Sequence, residues 1–128
     1  MMETVLSVNG LRKYYKHDKA LDGLSLTVPK GAIYGLVGQN GSGKTTLIRL
    51  LTGLQKPSGG NFILYGARND EKGIEKVRRR ISAIVELPAL YRNMTAKDNL
   101  RQQYRVLGLP SAKRLDELLH ACIGRVFE

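Results

Sequence analysis

Gly38-Gln39-Asn40-Gly41-Ser42-Gly43-Lys44-Thr45 fits the pattern G-x-x-x-x-G-K-[ST] at every position. Residue types in that order do one kind of chemistry. Glycines permit backbone conformations that a Cβ would block. Successive N–H groups can then turn inward as a nest for an anion. A helix starting at the nest adds the positive end of its dipole. The ammonium of Lys44 can reach the terminal phosphates of a nucleotide, and the hydroxyl of Thr45 can coordinate Mg²⁺. Thr46 follows directly and belongs to the same candidate site. These residues predict a nucleoside triphosphate site and leave the reaction open.

Such a loop needs a strand before it and a helix after it. Ile33 to Val37 is a mostly apolar run that predicts a strand buried on both faces, as in a parallel sheet. From Lys44 to Leu54 the apolar period changes, and Leu47, Ile48, Leu50, Leu51 and Leu54 suit a helix packed on that sheet. Upstream, Val5 to Val8 reads as a short strand. Leu24, Leu26 and Val28 alternate with Ser25 and Thr27 as in a half-buried strand, closed by a turn at Pro29-Lys30-Gly31. Downstream of the turn Pro57-Ser58-Gly59-Gly60, strands are expected at Phe62 to Tyr65 and Ile81 to Val85, with a short basic helix within 71–80. Thr95 is an expected N-cap, with Asp98 three residues on. Leu100, Tyr104 and Leu107 mark the face of that helix, which Gly108 and Pro110 end. Ser111 can cap a last helix striped with Leu115, Leu118, Leu119 and Cys122. The fold class is α/β: N-terminal antiparallel strands, a partial parallel core sheet and C-terminal helices. Residues 1–94 form a β-rich core with the phosphate loop, and residues 95–128 start a helical part.

Bulk properties narrow the classes. The chain has 128 residues, 42% apolar and 25% charged, which is ordinary for a globular domain and excludes collagen, coiled coil and wholesale disorder. No apolar run reaches the roughly 18 residues of a membrane span, and the first residues lack the basic start of a secretory signal. The single cysteine permits no internal disulfide. A net charge of +10 favours an anionic partner, but it is evenly spread: residues 1–64 and 65–128 each carry +5. Arg78-Arg79-Arg80 with Lys76 has no interleaved aromatics and reads as a solvated helix face, which argues against a nucleic-acid surface. His17 and His120 share no metal-ligand spacing with Cys122.

The residues around the loop carry a family resemblance. Gly35-Leu36-Val37 followed by the loop and Thr46 resembles the Walker A segment of ABC transporter ATPases, a family of P-loop NTPases. Ala20-Leu21-Asp22-Gly23-Leu24-Ser25-Leu26 is similar to their second strand, and Gly53-Leu54, Pro57, Ser58-Gly59 and Gly66 to the turn and strand after the first helix. Glu86-Leu87-Pro88-Ala89-Leu90-Tyr91 and Thr95-Ala96-Lys97-Asp98-Asn99-Leu100 resemble the Q-loop region, in a variant most similar to exporters tied to bacitracin or lantibiotic resistance. The resemblance runs from about residue 5 to about residue 119. It implies ATP and Mg²⁺ as ligands, a transmembrane permease subunit and a second ATP-binding subunit as partners, and a place on the cytoplasmic side of the membrane, held there by the permease. It also implies roles for single residues. Tyr15 falls where the family stacks an aromatic on adenine, with Tyr14 as the neighbouring alternative; the other reading is a strand-end tyrosine on a small core. Glu86 falls at the Q-loop position, near metal or attacking water. Read by itself, Ile81 to Glu86 is an apolar strand ending in an acid, a weak Walker B lookalike, and Glu86 can also be an exposed loop carboxylate.

The 128 residues contain no LSGGQ-like signature, no later apolar strand ending in Asp-Glu and no switch histidine. After Leu119 the likeness fades. The expectation is a half-site that binds nucleotide without turning it over, and a sheet that lacks the Walker B strand beside residues 33–37. Poor stability alone, or a gap filled by another chain, would follow. Three other readings stand beside transport: part of a soluble ABC protein of translation or DNA repair, a compact P-loop kinase or GTPase using Glu86 as its metal acid, and a degraded gene product.

Overall fold

The computed structural model describes residues 3–85, 90–109 and 113–127. Glu86, Ser111 and the side chain of Cys122 lie outside the described residues. The chain forms two compact units, Met1–Leu87 and Pro88–Glu128.

The first unit is built on a long hairpin. Strand β1 (Thr4–Tyr15) and strand β2 (Asp18–Pro29) pair antiparallel along their whole length, from Thr4 opposite Pro29 to Tyr15 opposite Asp18. Lys16 and His17 alone connect them, the shortest common hairpin loop. Both strands extend well beyond the expected cores, because the ladder absorbs Gly10 and Gly23 at positive φ as irregularities of register. Strand β3 (Gly59–Leu64) pairs antiparallel with β1, and β4 (Ala67–Arg68) closes on β3 through Tyr65 and Gly66, both at positive φ. The sheet order is β2-β1-β3-β4. Helix α1 (Lys44–Thr52) and the short helix α2 (Ile74–Arg78) contribute Leu47, Leu50 and Ile74 to a core completed by Val8, Leu11, Leu21, Phe62 and Leu64. Fully buried side chains of this size contribute about 1.5–3 kcal/mol each, which is what fixes α1 on the hairpin.

Two expected strands are absent. Residues 32–39 and 81–85 have no strand pairing; Ile33 and Val37 are fully exposed, and Ile84 is largely so. A strand buried on both faces needs a hydrogen-bonded neighbour on each side, and no described strand pairs with either run. Without a paired neighbour, apolar character alone does not make either run a strand. The sheet that does form is antiparallel throughout.

Within the basic run Lys76, Arg79 and Arg80 are exposed as expected, and Arg78 departs. Arg78 is not a solvated charge: its guanidinium donates to the Leu51 carbonyl at 3.3 Å, pairs with Glu75 at 2.7 Å and is only 16% exposed. Arg80 stacks 3.9 Å from the centroid of the Tyr65 ring. A planar cation covers an open helix end or a ring face better than water does.

The second unit is a helix pair, α3 (Ala96–Val106) and α4 (Leu115–Phe127). Thr95 caps α3 as expected, its hydroxyl accepting from the Asp98 N–H at 3.1 Å. Asn99 ties down the preceding turn: its amide accepts from the Tyr91 N–H at 2.8 Å and donates to the Tyr91 carbonyl at 3.0 Å. Lys97 pairs with Asp116 at 2.8 Å, and Leu115 is buried. Among the described residues no helix is long and apolar enough to cross a membrane.

Candidate functional site

The phosphate loop curls tightly into α1. The Ser42 N–H donates to the Gln39 carbonyl at 3.1 Å, and the first helical bond runs from the Leu47 N–H to Gly43 at 2.9 Å. Gly43 takes φ of +97° at the N-cap of α1. A Cβ there would stand 2.4 Å from the Ala20 carbonyl oxygen and 2.7 Å from a Leu21 methyl carbon. The loop thus rests directly on strand β2, and only glycine permits both the conformation and the approach. The Lys44 ammonium donates to the Gly38 carbonyl, folding back across the loop. The first turn of α1 holds no acidic residue, so nothing there neutralises the N-terminal dipole.

A cavity of about 400 Å³ opens at this point, lined by Tyr15, Asp18, Ala20, Asn40, Gly41, Gly43, Lys44, Thr45, Thr46 and Arg49. The hairpin tip and the loop, distant in sequence, share it because α1 packs on β2. Tyr15, the last residue of β1, is 41% exposed. Its hydroxyl donates to Gln55 Oε1 at 2.6 Å, and the Lys13 ammonium lies 5.4 Å from its ring centroid. Tyr14 is outside this cavity: its hydroxyl donates to Asp22 at 2.5 Å, which holds the phenol above its ordinary ionisation range, with some burial and the Asp22 charge acting in the same sense.

Of the residues expected to bind nucleotide, Tyr15, Asn40, Gly41, Gly43, Lys44, Thr45 and Thr46 meet in the cavity. Gly38, Gln39 and Ser42 shape the loop without lining it. Ser42 sits against Gly38 so closely that a Cβ on Gly38 would meet its hydroxyl at 2.4 Å. Asp18, Ala20 and Arg49 are additional. Arg49 had a signal, since it stands four residues after Thr45 and shares its helix face. Asp18 had one only in hindsight, as the cross-strand neighbour of Tyr15.

Residues 21–125 match the family described as ABC transporter. The chain belongs to the ABC transporter family. Among its relatives, the bacitracin transport ATP-binding protein BcrA of Bacillus licheniformis is 41% identical over 118 residues, covering 92% of this chain and 38% of that protein. The lantibiotic transport ATP-binding protein SrtF of Streptococcus pyogenes is 32% identical over 122 residues, covering 95% of this chain and 52% of that protein. The chain therefore spans about two fifths to one half of these relatives. A solved structure described as the ATP binding subunit of an ABC transporter superposes with a TM-score of 0.69 at 33% identity, covering 84% of this chain and 45% of that one. Membership agrees with the α/β, P-loop fold class expected for the chain and with its Walker A segment.

Proposed function

We propose that this ABC family chain binds ATP with Mg²⁺ in the 400 Å³ cavity, as the nucleotide-binding part of a transporter ATPase. One observation carries the proposal: a stacking ring, Tyr15, and a phosphate nest with Lys44 and Thr45 line the same cavity. A nucleoside triphosphate has a flat apolar end and a charged end, and the cavity offers both. Tyr15 takes the base by stacking, which gives affinity more than base specificity. The loop N–H groups and the Lys44 ammonium take the phosphates.

Thr45 fits Mg²⁺. It offers one neutral hydroxyl oxygen in the cavity that takes the phosphates, which suits a hard cation that keeps most of its ligands as water and phosphate oxygen. The metal would neutralise phosphate charge there. Glu86 remains a candidate second metal contact on the family resemblance. In the whole transporter, a transmembrane permease and a second ATP-binding subunit would use nucleotide binding to drive export. The two named relatives are a bacitracin and a lantibiotic transport protein, which supports a peptide antibiotic as cargo and transport over translation or repair. A cytoplasmic position, held to the membrane by the permease, follows from that assembly.

Calorimetric titration of the 128-residue protein with Mg-ATP tests the binding step. Saturable binding that Lys44→Ala abolishes is expected. Binding that survives Lys44→Ala, or no binding by a protein with a folded circular dichroism spectrum, would overturn it.

A further inference from the structure

We propose that Gln55 is a positioning residue for the nucleotide base, acting by holding the Tyr15 ring; this rests on the proposal that Tyr15 stacks on that base. The connection after α1 is sewn to the end of β1 at several points. The Ser58 N–H donates to the Arg12 carbonyl at 2.8 Å, and the Ser58 hydroxyl accepts from the Tyr14 N–H at 2.9 Å. The Lys13 ammonium donates to the Lys56 carbonyl at 2.8 Å. Gln55 is tied back to the helix through its own N–H, which donates to the Arg49 carbonyl at 3.2 Å. Its half-buried side chain then accepts the Tyr15 hydroxyl at 2.6 Å.

The geometry makes α1 a ruler. Its first residues, Lys44 and Thr45, stand at the phosphate end. Its nine residues span about 13 Å. The turn beyond its C-cap, Gly53, delivers Gln55 to the tip of the ring. One rigid element thus sets the separation between the phosphate nest and the stacking surface. A ring on a strand end, 41% exposed, would otherwise sample several rotamers. The hydrogen bond from its hydroxyl selects one of them. The Lys13 ammonium lies 5.4 Å from the ring centroid and adds a second constraint on the ring. Gln55 touches no ligand in this scheme; it limits where Tyr15 can be.

The test compares two probes, Mg-ATP and Mg-tripolyphosphate, by calorimetry on the 128-residue protein. Tripolyphosphate has no base and reports the loop alone. Gln55→Ala is expected to weaken ATP about three- to fivefold, the scale of one lost neutral hydrogen bond, and to leave tripolyphosphate unchanged. Tyr15→Phe keeps the ring and loses the hydroxyl, so it should cost the same, and the double variant should cost no more than either. Gln55→Glu retains an acceptor oxygen and should keep the wild-type ratio of the two affinities. Additive losses, or a Gln55→Ala loss shared equally by tripolyphosphate, would overturn the proposal. Should Tyr15→Ala leave that ratio untouched, the stacking reading itself fails. Should Lys44→Ala leave both probes bound, the phosphate-loop reading fails. The three failures are therefore distinct.

Discussion

Two alanine substitutions in the same loop should differ sharply in cost. In Gly43→Ala the new Cβ meets the Ala20 carbonyl oxygen at 2.4 Å and a Leu21 methyl carbon at 2.7 Å, with φ at +97°. The Ala20 carbonyl is backbone, at a register irregularity between the paired residues Lys19 and Leu21, so no side-chain rotation can clear it. A left-handed backbone costs a residue with a side chain about 1–2 kcal/mol, and overpacking against fixed neighbours about 1–3 kcal/mol more. The expected loss is about 3 kcal/mol or above, enough to lower a urea midpoint by about 1.5 M at an m-value near 2 kcal/mol/M. In Gly38→Ala the obstacle is the Ser42 hydroxyl at 2.4 Å, the end of a side chain that can rotate away. That change should cost under about 1 kcal/mol. Urea unfolding followed by circular dichroism of the sheet compares the two directly. Equal shifts, or a Gly43→Ala shift below about 0.5 M, would refute the view that the loop is seated on β2 by contact with its backbone.

Three further outcomes are expected. Thr95→Ala should remove the cap of α3, which accepts from the Asp98 N–H, and lower the stability of the helix pair by about 1 kcal/mol, read as earlier loss of amide protection in residues 96–99. Acid should loosen the α3–α4 contact. The hydrogen bond from Lys97, then its charge, holds the Asp116 carboxyl below its ordinary 3.8, so this stabilisation is present above that value and is lost as pH falls through the lowered one; Asp116→Asn should remove the dependence in an NMR titration from pH 5 to 2. In alkali the sign reverses for Tyr14. The hydroxyl donated to Asp22 raises its ionisation above 10.0, so its contribution holds below that pH and is lost as pH climbs through the raised value. Asp22→Asn should bring the Tyr14 ultraviolet titration back down, identified by difference from Tyr14→Phe.

The parts legible in the sequence are those whose cause is local. The phosphate loop and α1 follow from eight residues and an apolar stripe. The Thr95 cap follows from a side chain and an N–H three residues apart. At Ile33 to Val37 the apolar character states only that the run wants burial; whether it becomes a strand depends on a paired neighbour that the run itself does not specify. Arg78 departs from the rest of its exposed basic run for a related reason. Arg78 stands against Leu51, 27 residues away in sequence, so its charge pattern on α2 said nothing of the carbonyl it covers. Gln55 was illegible outright. A glutamine in a turn is unremarked until the fold brings Tyr15 to its side chain from 40 residues away.

The long hairpin also bears on the order of assembly. Strands β1 and β2 are contiguous in sequence, joined by two residues, so their pairing closes almost no loop. Hairpins form on the order of 1–10 μs, whereas β3 must cross an intervening helix before it can add to the other edge of β1. The wall of the cavity that carries Tyr15 and Asp18 is therefore expected early, as a local product of chain collapse. The phosphate nest gains its floor only when α1 docks on β2, and the Tyr15 hydroxyl meets Gln55 last, when the chain beyond α1 returns to β1. Ligand affinity would thus probe the final folding step: a refolding protein should show sheet signal before it acquires the proposed nucleotide binding.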